Sequence, residues 1–186
     1  YDFKPGSFTV IEGETGSGKT TMVRLILALL QPNHGSAFLY GDGWQQSASS
    51  QTRPYFSYIP QGNTLFSGTI RENLLLVNPN ATESEMREAL HVAAADFVLS
   101  LPKGLDSLCG ELGSGLSEGQ AQRIAIARSL LSTAPVFLID EATSALDEET
   151  EKIFLERFAA FRKKRTVIFI THRKSVFSIC DDVLSM

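Results

Sequence analysis

The sequence has 186 residues, 43% of them hydrophobic, and a formal net charge of −4. This composition allows one substantial hydrophobic core and lacks the basic surface typical of a dedicated nucleic-acid-binding protein. No run of about 18 apolar residues is present that could cross a bilayer. Cys109 and Cys180 form neither a metal-binding pattern nor a redox pair, which favours a reducing compartment. We expect that residues 1–186 are one domain, truncated at both ends relative to a longer chain.

The first third of the sequence predicts a strand, a glycine-rich loop and a helix. Phe8–Glu12 is a β-favouring run that stops at Gly13, and helical spacing of apolar residues extends from Lys19 to Leu30. Two further strands are predicted at Ala37–Tyr40 and Tyr55–Ile59. A polar loop rich in Gln and Ser is predicted between them.

The middle of the sequence predicts helices. A capping box at Thr82–Glu85 precedes apolar residues that recur on one helical face as far as Leu101. A second capping box, Ser117–Gln120, opens a helix whose apolar side extends to Leu131.

The final third alternates strands and helices again. Strands are predicted at Val136–Ile139 and Thr166–Ile170, a helix at Glu148–Phe161 and a short helix after the second strand. Uniformly apolar strands between helices indicate a parallel sheet that is covered on both faces. We therefore predict an α/β core, formed by residues 1–62 and 132–186, that is interrupted by a helical subdomain of residues 63–131.

A phosphate-binding motif lies between the first strand and the first helix. Its residues are Gly13, Glu14, Thr15, Gly16, Ser17, Gly18, Lys19 and Thr20, and Thr21 continues the site into the helix. The glycines let backbone N–H groups curl around phosphate oxygens at the positive end of a helix. Lys19 can then reach the β- and γ-phosphates, and Thr20 can offer its hydroxyl to Mg²⁺. Alone, the motif indicates only a nucleoside triphosphate, because kinases, GTPases and many ATPases share it.

Two carboxylates, Asp140 and Glu141, follow the apolar strand Val136–Ile139. At the carboxyl end of a buried strand, Asp140 is the natural Mg²⁺ partner and Glu141 can polarise an attacking water. Acidic pairs after strands often only cap helices. The phosphate-binding motif upstream favours the metal and base roles.

Further motifs resemble those of one family, the ABC ATPases. Leu116–Gln120 resembles its signature motif, and the helix sequence Ala121–Arg128 follows as it does in the family. Gln61 resembles the Q-loop glutamine, Ser144–Asp147 the D-loop, and His172 the switch histidine. The motifs occur in the family's order over essentially the whole chain, so the resemblance implies a P-loop NTPase (RecA-like) core with an inserted α-helical subdomain.

The resemblance also implies a mechanism with ATP and Mg²⁺. Two such domains would bind head to tail, with ATP between the phosphate loop of one and Ser117, Gly119 and Gln120 of the other. Asp147 would link the two sites across the interface. Glu141, Gln61 and His172 would be catalytic, and Thr20, Gln61 and Asp140 would serve the metal.

Two segments resemble the exporter branch of the family, Leu65–Leu74 and the pair Gly110–Glu111. The resemblance implies an ATPase that powers transport through a transmembrane domain at the cytoplasmic face of the inner membrane. The sequence does not identify the transported substrate, because the membrane domain selects it.

Two alternatives stay open at this point. One is an ABC-type ATPase that acts on nucleic acid or the ribosome, although the sequence lacks heptads and a basic stripe, and we expect no nucleic acid. The other is a weakly hydrolysing regulatory module. The presence of Lys19, Asp140, Glu141 and His172 opposes it, while Glu118 mildly favours it.

The sequence departs from the family pattern at Glu118, where the signature has glycine. A carboxylate about 6 Å from a γ-phosphate, at an effective dielectric of about 20, would cost roughly 3 kcal/mol per unit charge. We therefore expect the Glu118 side chain to point away from the nucleotide. The family's adenine-stacking aromatic has no counterpart, because Tyr1 is too close to the phosphate loop, and Asp182–Met186 resembles only the start of the closing strands.

Overall fold

The computed structural model describes residues 1–62, 64–110 and 115–186. The strands are β1 Phe8–Glu12, β2 Phe38–Gly41, β3 Trp44–Ser47, β4 Phe56–Ile59, β5 Gly68–Thr69, β6 Leu108–Cys109, β7 Val136–Asp140, β8 Thr166–Ile170 and β9 Asp182–Ser185. The α-helices are α1 Lys19–Ile26, α2 Ile70–Leu75, α3 Glu83–Val92, α4 Glu118–Leu130 and α5 Glu148–Phe161. Short 3-10 helices occupy Ser50–Tyr55, Asp96–Ser100, Gly104–Asp106 and Lys174–Ser178. Within these described ranges, none of the helices combines the length and apolar character needed to cross a bilayer.

The described chain divides into two compact units. The sheet unit comprises Tyr1–Tyr58, Ala134–Asp140 and Lys164–Met186. The helical unit comprises Ile59–Thr133 and Glu141–Lys163. The division at residues 62/63 and 131/132 that we infer from sequence stays a prediction.

A five-stranded sheet in the order β4-β7-β8-β1-β9 forms the centre of the sheet unit. β7 pairs with β8, β8 with β1 and β1 with β9, in each case parallel, as the sequence predicts. Val23 and Leu27 pack against the sheet residues Ile11, Leu138 and Ile168 in one buried cluster. Because the parallel strands share one direction, the ends of β1, β7 and β8 lie at one edge, where ligands bind in open α/β sheets.

The first helix ends earlier than the sequence predicts. Helical spacing extends to Leu30, but α1 ends at Ile26 and Ala28 has a left-handed φ of 51°. The Arg53 side chain donates to the carbonyls of Leu27 (2.9 Å) and Ala28 (3.0 Å) and so satisfies groups that a longer helix would bond internally.

The predicted polar loop after β2 is wrong, because Trp44–Ser47 forms a second strand antiparallel to β2. The connecting residues Asp42 and Gly43 are a strong two-residue hairpin signal, and Gly43 has a positive φ of 77°, which glycine adopts without steric cost. Glutamines in β3 obscured the strand pattern.

The helix predicted as far as Leu101 ends at Val92 and is followed by the 3-10 helix Asp96–Ser100. Ala94 has a left-handed φ of 53°, and its carbonyl accepts a 2.6 Å hydrogen bond from Arg123. Both predicted capping boxes are present and begin α3 and α4. In the helical unit, α4 contacts α2 and α3, and α3 contacts α5.

Replacing Leu138 by alanine tests the core of the sheet unit. We expect Leu138→Ala to lower the free energy of unfolding by about 2–5 kcal/mol, because it leaves a cavity among fully buried side chains. Leu29→Ala, at an exposed position, is the matched control and should change it by less than about 0.5 kcal/mol. Urea unfolding measures both, and equal effects would contradict this description of the core.

Candidate nucleotide-binding site

The loop between β1 and α1 folds around the Lys19 side chain. The Lys19 amine donates to the carbonyl oxygens of Gly13 at 2.7 Å and Glu14 at 2.9 Å, and the residue is only 7% exposed. Gly18, with a φ of 104°, is the N-cap of α1. No side chain in the described structure caps this end, and the first turn of α1 has no acidic residue. The N–H groups of the first turn are therefore suited to an anion.

Two further observations fit a phosphate group in this loop. The buried Ser17 Oγ has no hydrogen-bond partner among the described residues. A Cβ on Gly13 would lie 2.5 Å from Ser17 Oγ and 2.8 Å from the Met186 carbonyl oxygen, so the backbone can approach this closely only with glycine. The loop residues thus match a phosphate group in charge, in donors and in shape.

The end of β7 places Asp140 beside an aromatic residue that the sequence analysis did not select. The Tyr58 hydroxyl donates to Asp140 Oδ2 at 3.3 Å. Burial, and then the negative charge of Asp140, raises the pKa of Tyr58 to about 12, so the hydroxyl stays protonated at neutral pH. Asp140 and Thr20 offer the oxygen ligands that Mg²⁺ prefers. His172 lies exposed just beyond β8.

In the helical unit, the structure brings Gln61 and Glu141 together. The Gln61 amide donates to Glu141 Oε2 at 3.1 Å, although the two residues are 80 positions apart. Glu141 has a left-handed φ of 49°, uncommon for a residue with a side chain. Such backbone strain is concentrated at functional sites.

The predicted signature residues surround the first turn of α4. Ser117 is the N-cap, and its hydroxyl accepts from the Gln120 N–H at 3.2 Å. In return, Gln120 Oε1 accepts from the Ser117 N–H at 3.0 Å. Glu118 is the first residue of the helix and is exposed, and an acid there interacts favourably with the helix dipole.

Asp147 is the N-cap of α5. Its carboxylate accepts from the Thr150 N–H at 2.8 Å and from the Thr150 hydroxyl at 2.9 Å. The backbone bond, followed by the hydroxyl bond, lowers the pKa of Asp147. Of the exporter-like pair, Glu111 lies outside the described residues. The segment Leu65–Leu74 begins α2 through a Thr69–Glu72 capping box.

The sequence analysis also missed Gln122, a polar residue on the buried side of α4. A glutamine among the apolar positions of an otherwise buried helix face was the available signal.

A glycine-rich loop between a parallel strand and a helix, with an acidic residue at the end of another parallel strand of the same sheet, defines a P-loop NTPase. The family model described as ABC transporter matches residues 1–144. The chain belongs to the ABC transporter family and corresponds to the ATP-binding domain of that family.

Named relatives match nearly the whole chain. It is 38% identical over 184 residues to the "Probable ABC transporter ATP-binding/permease protein" of Haemophilus influenzae, covering 98% of this chain and 33% of that protein. It is also 38% identical over 185 residues to the mycobactin import ATP-binding/permease protein IrtB of Mycobacterium bovis, covering 99% of this chain and 32% of that one. The chain thus spans about a third of the length of these curated relatives.

A solved structure of a bacterial Atm1-family ABC exporter with ATP bound is similar, with a TM-score of 0.90 and 36% identity. The match covers 100% of this chain and 33% of that one. It confirms the predicted fold class, a mainly parallel P-loop NTPase sheet with helices.

Replacing Lys19 by methionine tests the phosphate loop. We expect Lys19→Met to weaken ATP binding about 10- to 100-fold, because charged hydrogen bonds contribute about 1.5–3 kcal/mol each. Calorimetric titration with a non-hydrolysable ATP analogue measures the affinity. Lys152→Met, on an exposed position of α5, is the control and should bind as the unchanged protein does. Unchanged affinity in Lys19→Met would contradict the assignment.

Proposed function

We propose that this chain is the motor domain of a membrane exporter, in which ATP binding and hydrolysis power transport of a substrate. The observation that carries ATP-driven transport is the match over nearly the whole chain to ATP-binding/permease proteins, one of them named for mycobactin import and another for multidrug export. The likeness to an ABC exporter structure supports the exporter type over a family member that acts on nucleic acid. The intact Lys19, Asp140 and Glu141 support hydrolysis over a purely regulatory role.

In this proposal, the phosphate loop residues Gly13–Thr21 hold the triphosphate. Backbone N–H groups of the loop and the Lys19 amine surround the β- and γ-phosphates. Thr20, Asp140 and Gln61 are the proposed magnesium partners. When bound, Mg²⁺ neutralises the charge that develops on the phosphate oxygens during transfer.

Glu141 is the proposed general base for the attacking water. Its carboxylate accepts a hydrogen bond from the Gln61 amide at 3.1 Å, and its remaining acceptor sites could orient the water. His172 would stabilise the γ-phosphate from the carboxyl end of β8.

The second half of each site comes, in this proposal, from another ABC ATPase domain, of the same or a different chain. Ser117, Gly119 and Gln120 at the N-terminus of α4 would contact the partner's nucleotide, where N–H groups and the helix dipole favour phosphate. Asp147 would join the two sites across the interface.

A transmembrane domain is the proposed second partner, which would hold the chain at the cytoplasmic face of the inner membrane. Exposed apolar side chains in and next to the exporter-like segment support this. Phe66 is 62% exposed, and Leu108, in the strand paired with Gly68–Thr69, is 74% exposed. Exposed large apolar residues that lie close together mark interaction surfaces.

Replacing Glu141 by glutamine tests the sandwich mechanism. We expect Glu141→Gln, purified with its natural flanking segments, to form a dimer in Mg-ATP and a monomer in Mg-ADP, because removing the base stops hydrolysis and preserves the closed state. Light scattering measures the solution mass.

The matched control for this experiment is Glu149→Gln, at an exposed position of α5. It should hydrolyse ATP and accumulate no dimer. A Glu141→Gln monomer in both nucleotides, with ATP binding verified by calorimetry, would contradict a sandwich of two copies of this chain.

Replacing Glu118 by glutamine tests the departure in the signature motif. Because we expect its carboxylate to point away from the nucleotide, Glu118→Gln in the Glu141→Gln background should change the ATP concentration needed for dimerisation less than tenfold. Glu88→Gln, on an exposed position of α3, is the charge-matched control. A gain on the order of a hundredfold would show that Glu118 repels the phosphate, as expected at about 6 Å.

A further inference from the structure

Gln122 is a buried polar residue for which the proposed chemistry gives no role. Its side chain is 1% exposed. Its Oε1 accepts a hydrogen bond of 3.1 Å from the backbone N–H of Ala145. Ala145 belongs to the D-loop, Ser144–Asp147, which follows the proposed general base Glu141 and ends at the N-cap residue of α5.

A second contact holds the D-loop against the same end of α4. A Cβ on Gly119 would lie 2.8 Å from the Ala145 carbonyl oxygen, which shows how closely the two backbones approach. Both polar backbone groups of Ala145 therefore face α4, the N–H toward Gln122 and the carbonyl toward Gly119.

Backbone hydrogen bonds connect the D-loop to Glu141, so a displacement of Ala145 would also displace Glu141. Two backbone turns cover it, with the Ser144 N–H donating to the Glu141 carbonyl at 3.1 Å and the Leu146 N–H donating to the Thr143 carbonyl at 3.0 Å. Thr143 and Leu146 are buried. Packed turns of this kind move as a unit rather than deform continuously.

The amide of Gln122 is not explained by stability alone. Its Nε2 is buried and has no hydrogen-bond partner among the described residues. Burying an unpaired donor costs about as much as one hydrogen bond contributes, so the two effects largely offset each other. The hydrogen bond from Ala145 to Gln122 Oε1 therefore fixes the position of Ala145 relative to α4 and adds little net stability.

We propose that Gln122 is a positioning residue that joins the signature motif to the general base of the same chain. It fixes Ala145 to α4. When the partner's nucleotide binds Ser117 and Gly119, α4 therefore also positions Glu141 for its own attacking water. The inference rests on the proposed sandwich dimer, because the signature contacts a nucleotide only there. Each chain then senses the partner's nucleotide through α4 and responds at its own base, which makes the two sites cooperative.

Gln122→Met in the intact protein tests this coupling. Methionine keeps the length and approximate volume of the side chain but removes both the acceptor and the unpaired donor. We expect kcat to fall about tenfold, since small misplacements of catalytic groups are costly. Two cooperative sites give a Hill coefficient for ATP above about 1 and at most about 2. In Gln122→Met this coefficient should fall to about 1. Nucleotide affinity of the phosphate loop and the unfolding temperature should stay close to those of the unchanged protein.

Two matched variants separate coupling from packing. Gln122→Glu retains an oxygen at the acceptor position, and because burial favours the neutral carboxylic acid, it should keep kcat and the Hill coefficient near their unchanged values. Ser129→Ala removes another buried hydrogen bond of α4, to the Ala125 carbonyl at 3.2 Å, and should leave cooperativity unchanged.

Three results would overturn the inference. These are unchanged kcat and cooperativity in Gln122→Met, equal losses in the Met variant and in a folded Glu variant, or the same loss in Ser129→Ala. If Gln122→Met fails to fold, retained cooperativity in Gln122→Glu supports the inference and its loss in the folded protein contradicts it. Failure of Glu141→Gln to dimerise with ATP contradicts the proposed function instead.

Discussion

The parallel pairing of β1, β8 and β7 is the constraint on which the phosphate-binding part of the site depends. Phe8 lies opposite Val167, and Val136 lies opposite Thr166, so the three strands run together and end at one edge. A shift of one residue would move every side chain of a strand to the opposite face, and the close packing of specific side chains on both faces opposes it. The loop after β1, the carboxylate at the end of β7 and the residues after β8 are thereby held at one edge by backbone hydrogen bonds.

Long polar side chains organise the helical unit in a different way. Arg128 donates to the Thr64 carbonyl at 3.0 Å and to the Thr64 hydroxyl at 2.6 Å. Arg123 donates to the carbonyls of Gly119 and Ala94, and its guanidinium lies 4.8 Å from the centre of the Phe97 ring. Burial lowers the pKa of both arginines, yet both keep charged donors on backbone carbonyls. α4 is therefore held by polar side chains as well as by its apolar face.

The sequence predicted most accurately the elements whose pattern has one physical cause. β1, β8 and α5 have the predicted bounds, because uniform burial or an acidic first turn leaves few alternatives. Predictions were wrong where a distant side chain decides the outcome, as when Arg53 takes the carbonyls at the end of α1. The phosphate loop could be found from spacing alone. The pairing of Gln61 with Glu141 could not, because 80 residues separate them and only the folded chain brings them together.

The capping box at the start of α4 has a consequence for the kind of group that Ser117 can meet. Because Ser117 Oγ accepts from the Gln120 N–H, the hydroxyl proton is directed elsewhere. The hydroxyl keeps its own proton, so the side chain can donate to an incoming oxygen ligand while its oxygen remains engaged in the cap. Threonine would preserve both roles, whereas alanine would remove the cap and the donor together.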